Sequence, residues 1–452
     1  MKMIKLNLIL IYLLISTFSL AQEKFKTDID LGNGFLITTF LNLESNQNQF
    51  LLNSPKNADK RVVGGFKSTM GRLFGKLPKK GIFITISGKS KGDSLVGYAK
   101  TTLFEKLKFR GIIEDNEISG DLLDNDNNAI ATMTGFKTNQ TKIGYKTLYS
   151  KIIEITEKNI YSKEILQTKE WQKFKHKFKR LCNNAQDDVE LYIGFNLLIS
   201  NLNFSHYFLI MQEQEEKNEV EEAHKQAEKI PSVIFKEKTS ETAYLKIKNF
   251  SSSKAEIAEV FPKITKNQSY KNLIVDLRGN SGGGIEAAFE FGKHILNEET
   301  EVGYFISNKF GKIDKQKFSS LPITKAKTTD GFIEELKNGK GAKMVFNKSA
   351  NAVFTGNIFV LTDNKTASTC EPIVYVLKKS KRATIVGENT AGAMLSATSF
   401  DVSGKYKLIL PLADFYTYDG VRLDQVGVSP NIETESEYAL EKVMTFIKNK
   451  NN

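Results

Sequence analysis

The sequence predicts an α/β core with a mostly parallel sheet, preceded by a helical segment and an N-terminal all-β domain. From residue 231 to residue 452, strand-like apolar runs alternate with helix-like stretches, which is typical of crossover connections between parallel strands. Residues 22–143 instead contain short alternating runs separated by Gly, Asn and Asp turns, as in an antiparallel sheet or barrel. Residues 144–230 show helical periodicity. The chain of 452 residues is long enough for these three parts.

The first 21 residues have the layout of a secretory signal peptide. Met1–Lys5 is short and basic, Leu6–Leu20 is almost unbroken apolar sequence, and Ser19 and Ala21 are small residues before a cleavage point. A membrane anchor is the alternative, but the apolar run is shorter than the roughly 20 residues that span a bilayer. We therefore expect export to the periplasm or the extracellular space, with no integral span after cleavage.

Short runs define the elements in chain order. In the N-terminal part, the strand-like runs are Gly81–Gly88, Ser94–Tyr98, Leu107–Ile113 and Ile118–Leu123. In the middle part, apolar residues recur on one face near Ile152, Val189–Ile210 is a long apolar stretch, and Glu213–Lys229 is charged and helix-prone.

In the last part, strands and helices alternate. The predicted strands are Ala243–Ile247, Leu273–Leu277, Asn357–Thr362 and Thr384–Gly387, and the predicted helices are Ile285–Leu296 and Thr369–Ser380. Active sites in such sheets lie at the carboxyl ends of the strands. The loops that follow Leu277 and Thr362 are therefore the places to look for chemistry.

Charge and cysteine content exclude several classes of function. The formal net charge is +12, and basic residues are densest in Lys169–Arg180, a run typical of a solvated helix face. No nucleic-acid-binding motif is present, so we expect no DNA or RNA partner. Cys182 and Cys370 are far apart and do not form a disulfide framework; Cys370 lies in an apolar helix start and is predicted to be a buried thiol.

A Gly-rich loop, Asp276–Gly284 (DLRGNSGGG), follows a buried strand and opens a helix. Glycine lets backbone N–H groups approach a ligand closely, and a helix N-terminus adds partial positive charge, so the loop suits an oxyanion or a phosphate. Gly282–Ala287 also fits a loose dinucleotide pattern with acids at Glu298 and Glu299. A tight turn without chemistry is the third interpretation.

Ser368 begins the helix that follows the strand NIFVLT. Ser368-Thr-Cys-Glu371 has the form of a capping box, and Pro372 suits a first helical turn, so Ser368 is explained by helix capping alone. A nucleophile at a strand-to-helix turn gains from the same free N–H groups. Both interpretations remain open on local sequence.

Three segments together resemble the catalytic core of the tail-specific (C-terminal processing) serine peptidases. They are LIVDLRGNSGGG, VLTDNKTASTCE and ATIVGENTAG, in this order, and the closing GVRLDQVGVSPNI also matches. The resemblance covers about residues 231–435 and implies a core of ClpP/crotonase-like fold. It also implies that Ser368 is the nucleophile and that the N–H groups of Gly279 and Thr369 form the oxyanion hole.

The base differs from the commonest pattern of that family. Ala393 stands where most members carry a catalytic lysine. The segment LLISNLNFSHY resembles the tricorn-protease branch, which uses a Ser–His pair, and the resemblance implies Ser205 as orienting residue and His206 as base. The same branch carries Glu where this chain has Asp424. Histidine suits the role because its unperturbed pKa of about 6.5 is near neutral pH.

Other candidates are weaker. His176 lies in the basic run, His224 in the charged helix and His294 on an amphipathic helix. Glu371 is expected to cap the helix or anchor the loop rather than transfer protons. Cys370 as nucleophile is disfavoured because Ser368 holds the motif position, and no H-E-x-x-H motif or metal-binding pair of histidines is present, so we expect no metal and no cofactor.

The predicted function is that of a secreted serine peptidase acting on protein or peptide substrates. The family's peptide-binding PDZ domain is not expected, because only about 24 residues separate His206 from the core at Pro231. The alternative is a catalytically inactive member that binds apolar ligands or proteins, as retinoid-binding modules with a similar core do.

Overall fold

The structure, a computed structural model, describes residues 23–31, 35–46, 48–55, 83–101, 106–211, 231–265, 270–347 and 353–451. The predicted signal peptide, the predicted charged helix Glu213–Lys229 and His224 lie outside these residues. Within them, no helix combines the length and the apolar character that crossing a membrane requires.

The N-terminal part is a closed antiparallel barrel of eight strands. Neighbouring strands follow chain order, and β1 closes the barrel by pairing with β8. Alternate side chains fill the interior with buried residues such as Phe25, Leu41 and Phe109. The all-β prediction is confirmed. The strands are β1 (Glu23–Asp30), β2 (Leu36–Ser45), β3 (Gln49–Asn53), β4 (Ile84–Lys91), β5 (Ser94–Thr101), β6 (Leu107–Glu114), β7 (Glu117–Leu123) and β8 (Ala129–Lys137).

The middle part contains three helices, α1 (Lys146–Asn159), α2 (Lys169–Asn184) and α3 (Asp188–Ile199), and a 3₁₀ turn at Lys163–Gln167. The basic run is the exposed face of α2, which packs its aromatic face inward through buried Trp171 and Phe178.

The prediction of helix throughout residues 144–230 is wrong at Phe208–Met211. This segment is a strand, β9, that pairs with a later strand of the core. The apolar stretch Val189–Ile210 therefore breaks after α3, and His206 lies in the connection. A short apolar run fits a buried strand as well as a helix, and only the distant pairing partner decides between them.

The core contains the predicted parallel sheet. Its six strands are ordered β10–β11–β12–β15–β16–β19; only the edge pair β10–β11 is antiparallel. The α/β prediction is confirmed. The strands are β10 (Val233–Thr239), β11 (Thr242–Ile247), β12 (Asn272–Asp276), β15 (Asn357–Thr362), β16 (Ala383–Gly387) and β19 (Ile432–Glu433).

A second sheet in the core, antiparallel, was not predicted. Its order is β14–β13–β18–β17, and β9 also pairs with β18. Its strands are β13 (Thr300–Ser307), β14 (Gly341–Phe346), β17 (Leu395–Ser403) and β18 (Tyr406–Thr417). The core helices are α4 (Lys254–Thr265), α5 (Ile285–Ile295), α6 (Thr329–Asn338), α7 (Cys370–Lys379) and α8 (Ala439–Asn451), with 3₁₀ turns at Asn308–Phe310, Lys315–Ser320 and Ser436–Tyr438.

One buried polar contact joins all three parts. The Lys405 ammonium, at the β17–β18 turn, contacts the carboxylate of Asp188 at the start of α3 and lies 2.8 Å from Thr38 Oγ1 in β2. Asp188 is almost fully buried, and Oδ2 of the same side chain also accepts the Thr38 N–H at 2.8 Å. A buried carboxylate needs such partners, so this contact holds the barrel and the helical part against the hairpin.

Candidate active site

Two loops meet at one edge of the parallel sheet. β12 and β15 are parallel neighbours, with Asp276 opposite Leu361, so their carboxyl ends lie side by side. The Gly-rich loop follows β12, and the turn that carries Ser368 follows β15. Both loops border a cavity of about 520 Å³, which also contacts β9 and the antiparallel sheet.

The Gly-rich loop packs directly against the Ser368 turn. The Asn280 side chain accepts the Gly282 N–H at 2.9 Å and donates to the Ile247 carbonyl at 3.0 Å, which holds the loop. A Cβ on Gly282 would lie 2.7 Å from Ser368 Cβ. Glycine is therefore required by close approach, because residues 367–369 lie directly against Gly282.

The prediction for Gly279 does not fit this geometry. Its N–H donates to Asp363 Oδ1 at 3.0 Å, and Gly279 is not among the residues that line the cavity. The loop turns at Gly279, where φ is +75°. This turn directs the Gly279 N–H to the carboxylate of Asp363, in the loop that follows β15. An N–H that is already donated to a buried carboxylate is a poor oxyanion donor.

Gly283, unlike Gly279, lines the cavity together with Ser368. The Gly282 carbonyl and the Gly284 N–H both bond to the Phe250 backbone, at 2.8 and 3.1 Å. In an extended chain, the backbone groups of successive residues point to opposite sides. The N–H and C=O of Gly283 therefore point away from Phe250, and this carbonyl accepts the Thr369 hydroxyl at 2.6 Å. Among the described residues, neither the Gly283 N–H nor the Thr369 N–H has a hydrogen-bond partner. The sequence signal was the second of three consecutive glycines, Gly282–Gly284, which the motif match did not single out.

Ser368 is held in an unusual backbone conformation. Its φ is +54°, a region that costs energy for any residue with a Cβ. Its N–H lies 3.1 Å from both Glu371 Oε2 and the Ala393 carbonyl. The Ser368 hydroxyl has no hydrogen-bond partner in the described part of the chain, so the capping-box prediction holds for Glu371 but not for the serine side chain.

Glu371 anchors the loops around Ser368. The carboxylate is fully buried and also accepts the Thr390 hydroxyl and the Gly392 N–H, both at 2.7 Å, and the Ala393 N–H at 2.9 Å. Burial raises the pKa of the Glu371 carboxyl, while these donors oppose the shift. The prediction that Glu371 anchors the loop is confirmed.

His206 faces the cavity from the connection between α3 and β9. Among the described residues that line the cavity, it is the only one with a side chain that titrates near neutral pH. Its φ is +57°, an enforced conformation like that of Ser368. Burial lowers the pKa of the His206 imidazole, and the nearby Asp424 partly opposes this, so the ring is neutral at neutral pH and suits a base.

Ser205 connects His206 to Asp424. Ser205 Oγ lies 2.7 Å from His206 Nδ1 and donates to Asp424 Oδ1 at 2.6 Å. Since the hydroxyl has one proton and gives it to the carboxylate, Nδ1 must carry the proton in its own bond to Ser205. This leaves Nε2 unprotonated, which is the tautomer that a general base needs.

Asp424 reaches Ser205 although it is one methylene shorter than Glu. It is fully buried, and it also accepts the Met394 N–H at 3.2 Å and Arg422 Nη2 at 3.1 Å. Arg422 in turn donates to Asp414 Oδ2 at 2.7 Å. Burial raises the pKa of Asp414 to about 6, against the opposing effect of Arg422. Neither Arg422 nor Asp414 was predicted from the sequence.

The remaining predictions concern Ala393 and the cysteines. Ala393 lines the cavity beside Ser368, and no lysine belongs to the described cavity lining. Cys370 is fully buried, as predicted, and burial raises the pKa of its thiol far above the usual range, so it is not a nucleophile. Cys182 is also buried and free. In the described residues, no group of three or more His, Cys, Asp or Glu side chains is placed to hold a metal ion.

The fold and the site define an α/β domain whose cavity is lined by Ser368 and His206. Residues 241–434 match the model of Peptidase family S41. In this part of the chain the sequence is therefore similar to peptidase family S41, the tail-specific peptidases.

Curated relatives match the same part of the chain. The C-terminal processing peptidase, chloroplastic, of Tetradesmus obliquus is 24% identical over 196 residues, 43% of this chain and 35% of that protein. The carboxy-terminal processing protease CtpA of Bacillus subtilis is 25% identical over 207 residues, 46% of this chain and 38% of that protein. The matched region therefore spans little more than a third of these relatives.

Among solved structures, the crystal structure of the tricorn protease aligns over 89% of this chain and 45% of that chain, with a TM-score of 0.42 and 13% sequence identity. A likeness at this level says nothing about activity or substrate.

Proposed function

We propose that this chain is a serine peptidase that cleaves peptide bonds through an acyl-enzyme on Ser368, with His206 as the general base. The observation that carries the proposal is the hydrogen-bonded series from Asp424 through Ser205 to His206 Nδ1, beside a cavity that also exposes Ser368. A serine hydroxyl is a weak nucleophile without a base, and this series supplies one in the correct tautomer.

The proposed reaction has two halves. As Ser368 Oγ bonds to the carbonyl carbon of the scissile peptide, His206 Nε2 takes the hydroxyl proton. The carbonyl oxygen becomes an oxyanion, which the N–H groups of Gly283 and Thr369 stabilise. His206 then gives the proton to the leaving amine as the C–N bond breaks, and water releases the acyl group by the same steps.

The position of Ala393 supports histidine rather than lysine as the base. The Ala393 methyl group leaves room at the cavity wall where the family's lysine would stand. Ser368 bonds only to the backbone of Ala393, through its N–H. Asp424 has the task of the glutamate in the tricorn branch, and Ser205 that of its orienting serine. These roles rest on the geometry of this chain together with the family resemblance.

The substrates proposed are proteins or peptides, cleaved after export from the cytoplasm. The family and the names of the curated relatives support a peptide substrate, and the apolar N-terminal sequence supports export. Cleavage near a carboxyl terminus, as the names of those relatives state, is part of the proposal for this chain.

One observation favours a second candidate, an inactive protein that binds apolar ligands. The cavity wall includes Phe208, Phe305 and Phe332, so it has the apolar character of a small-molecule site. The unpaired Ser368 hydroxyl and the ordered base oppose this candidate.

The test is cleavage of a mixture of unstructured peptides, followed by mass spectrometry of the products. We expect defined new termini with the wild-type protein and none with Ser368→Ala. Products that persist in Ser368→Ala would assign the cleavage to a different group or a contaminant. A folded wild-type protein that cleaves nothing but binds an apolar fluorophore would establish the second candidate.

A further inference from the structure

A second cavity, of about 620 Å³, lies outside the catalytic site. We call it the lysine groove. It is bordered by helix α5, by strand β14 and by the segment 323–327, and four lysines surround it: Lys254, Lys293, Lys325 and Lys327.

The lysine groove and the catalytic cavity share a wall. On α5, Ile285 lines the catalytic cavity and the next residue, Glu286, lines the groove. On β14 the same is true of Met344 and Val345. Thr329, which lines the catalytic cavity, donates to Glu286 across this wall at 2.5 Å. The groove and the catalytic cavity therefore lie on the two sides of one wall, a few residues apart.

The groove carries net positive charge, because its four lysines outnumber its two glutamates, Glu286 and Glu290. Glu290 is already paired with Lys293 and His294, both at 3.1 Å, and Glu286 accepts the Thr329 hydroxyl. The side chains of Lys254, Lys325 and Lys327 are exposed and form no ion pair with any residue that the structure describes. Three free ammonium groups around one groove attract carboxylates.

The groove is also shaped for an extended chain. β14 is the edge strand of the antiparallel sheet. The segment before α6 already pairs with this edge, because the Lys343 N–H donates to the Pro322 carbonyl at 2.7 Å and its carbonyl accepts the Thr324 N–H at 2.9 Å. By alternation, the backbone groups of Val345 point the same way, into the groove. Strand addition at such an edge is a common way to bind peptides.

The segment that carries Lys325 and Lys327 is anchored to helix α6. Glu335 on α6 accepts the Thr324 hydroxyl at 2.7 Å and the Lys325 N–H at 3.1 Å. The segment is thus fixed between β14 and α6. Ile323, 53% exposed, and the partly buried Phe289 add apolar surface beside the charges.

We propose that the lysine groove binds an acidic, extended segment of the peptide substrate, next to the residues that enter the catalytic cavity. This inference rests on the proposed peptidase function and adds a substrate class to it. Acidic side chains pair with Lys254, Lys325 and Lys327, while the peptide backbone bonds to the outer edge of β14 at Val345. The groove thereby favours proteins with acidic sequence on one side of the cleavage point.

The test is peptide binding to the full chain with Ser368→Ala, measured by fluorescence anisotropy. The probes are a rhodamine-labelled peptide of alternating Glu and Ser and its counterpart of alternating Gln and Ser. The groove variant is Lys325→Gln with Lys327→Gln, and the control is Lys312→Gln with Lys442→Gln, two exposed lysines outside both cavities. Vesicles of phosphatidylglycerol serve as a second acidic probe.

We expect the Glu peptide to bind about tenfold more weakly to the groove variant than to the control, because two exposed charge pairs are lost. The Gln peptide should not distinguish the two variants. Equal affinity of the Glu peptide for both variants would overturn the proposal, as would groove-dependent binding of the vesicles without binding of the peptide. Since Ser368→Ala is used throughout, failure of the catalytic proposal would appear separately, as absence of cleavage by the wild-type protein.

Discussion

The Ser205 hydroxyl donates to the Asp424 carboxylate at 2.6 Å, although 219 positions separate the two residues in the chain. Ser205 precedes β9, and Asp424 follows β18, which is the strand that β9 pairs with. The pairing of these two strands therefore brings His206, the proposed base, and Asp424 together. A four-residue strand in an otherwise helical region thus sets the geometry of the candidate site.

The variant Asp424→Asn tests the role of this carboxylate. An amide can donate to Ser205, which would reverse the hydrogen bonds and place the imidazole proton on Nε2. We expect kcat to fall by roughly 10²–10⁴-fold with little change in KM, as when the acid of a Ser-His-Asp triad becomes an amide. Asp401→Asn, at an aspartate whose side chain is 69% exposed, is the matched control. Activity within twofold of wild type in Asp424→Asn would remove the carboxylate from the mechanism.

The pH dependence of kcat/KM tests the base. His206 must be neutral to accept a proton, so activity should be lost as the pH falls through its pKa. Burial lowers that pKa, so the midpoint of the acidic limb should lie below the unperturbed value of about 6.5. In Asp424→Asn any residual activity should have its limb at still lower pH, because Asp424 raises the pKa. A limb above pH 7 would point to a different base.

Two glycine variants test whether Gly279 is an oxyanion donor and whether the close packing of Gly282 positions Ser368. A Cβ on Gly279 meets nothing within 4 Å, so Gly279→Ala should cost only the backbone strain of φ +75°, about 1 kcal/mol of stability, with kcat nearly unchanged. A Cβ on Gly282 would displace Ser368, so Gly282→Ala should lower kcat by roughly 10²-fold. Steady-state kinetics and urea unfolding measure both effects. A large loss of kcat in a fully stable Gly279→Ala would restore Gly279 as a donor.

The anchoring role of Glu371 predicts a loss of stability rather than a specific kinetic effect. In Glu371→Gln, the amide NH₂ is itself a donor, so it faces at least one of the N–H or O–H groups that now donate to the carboxylate, and that hydrogen bond is lost. We expect the free energy of unfolding to fall by about 3 kcal/mol, measured by urea unfolding. Glu437→Gln, at an exposed position, should change it by less than about 0.5 kcal/mol. A Glu371→Gln protein as stable as this control would show that the four hydrogen bonds do not hold the loop.

The sequence predicted the parts of the fold that depend on local pattern. Strands and helices alternate after residue 231, and this pattern predicts a parallel sheet. Short alternating runs separated by turns precede residue 143, and they predict an antiparallel sheet or barrel. The antiparallel sheet of β13, β14, β17 and β18 was missed because its pairings are non-local, and because β9 resembles the end of a helix in sequence. Periodicity carries no information about the partner of a strand.

The same limit applies to the site. Ser368, His206 and Asp424 were found through motif positions, and the structure brings Ser205, His206 and Asp424 into one hydrogen-bonded series. Gly279 was placed by motif alone, whereas the direction of its N–H depends on Asp363, in the loop after a different strand. Arg422 has no local signal, because its importance comes from the two buried carboxylates that it bridges.

Labelling with a fluorophosphonate probe, read as intact mass, tests the central claim most directly. The wild-type protein should gain one probe adduct, and both Ser368→Ala and His206→Ala should gain none, since a serine is labelled only when a base activates it. Both variants must remain folded by circular dichroism. A folded wild-type protein that takes no label, or a His206→Ala variant that is labelled as fast as wild type, would contradict a serine nucleophile with a histidine base.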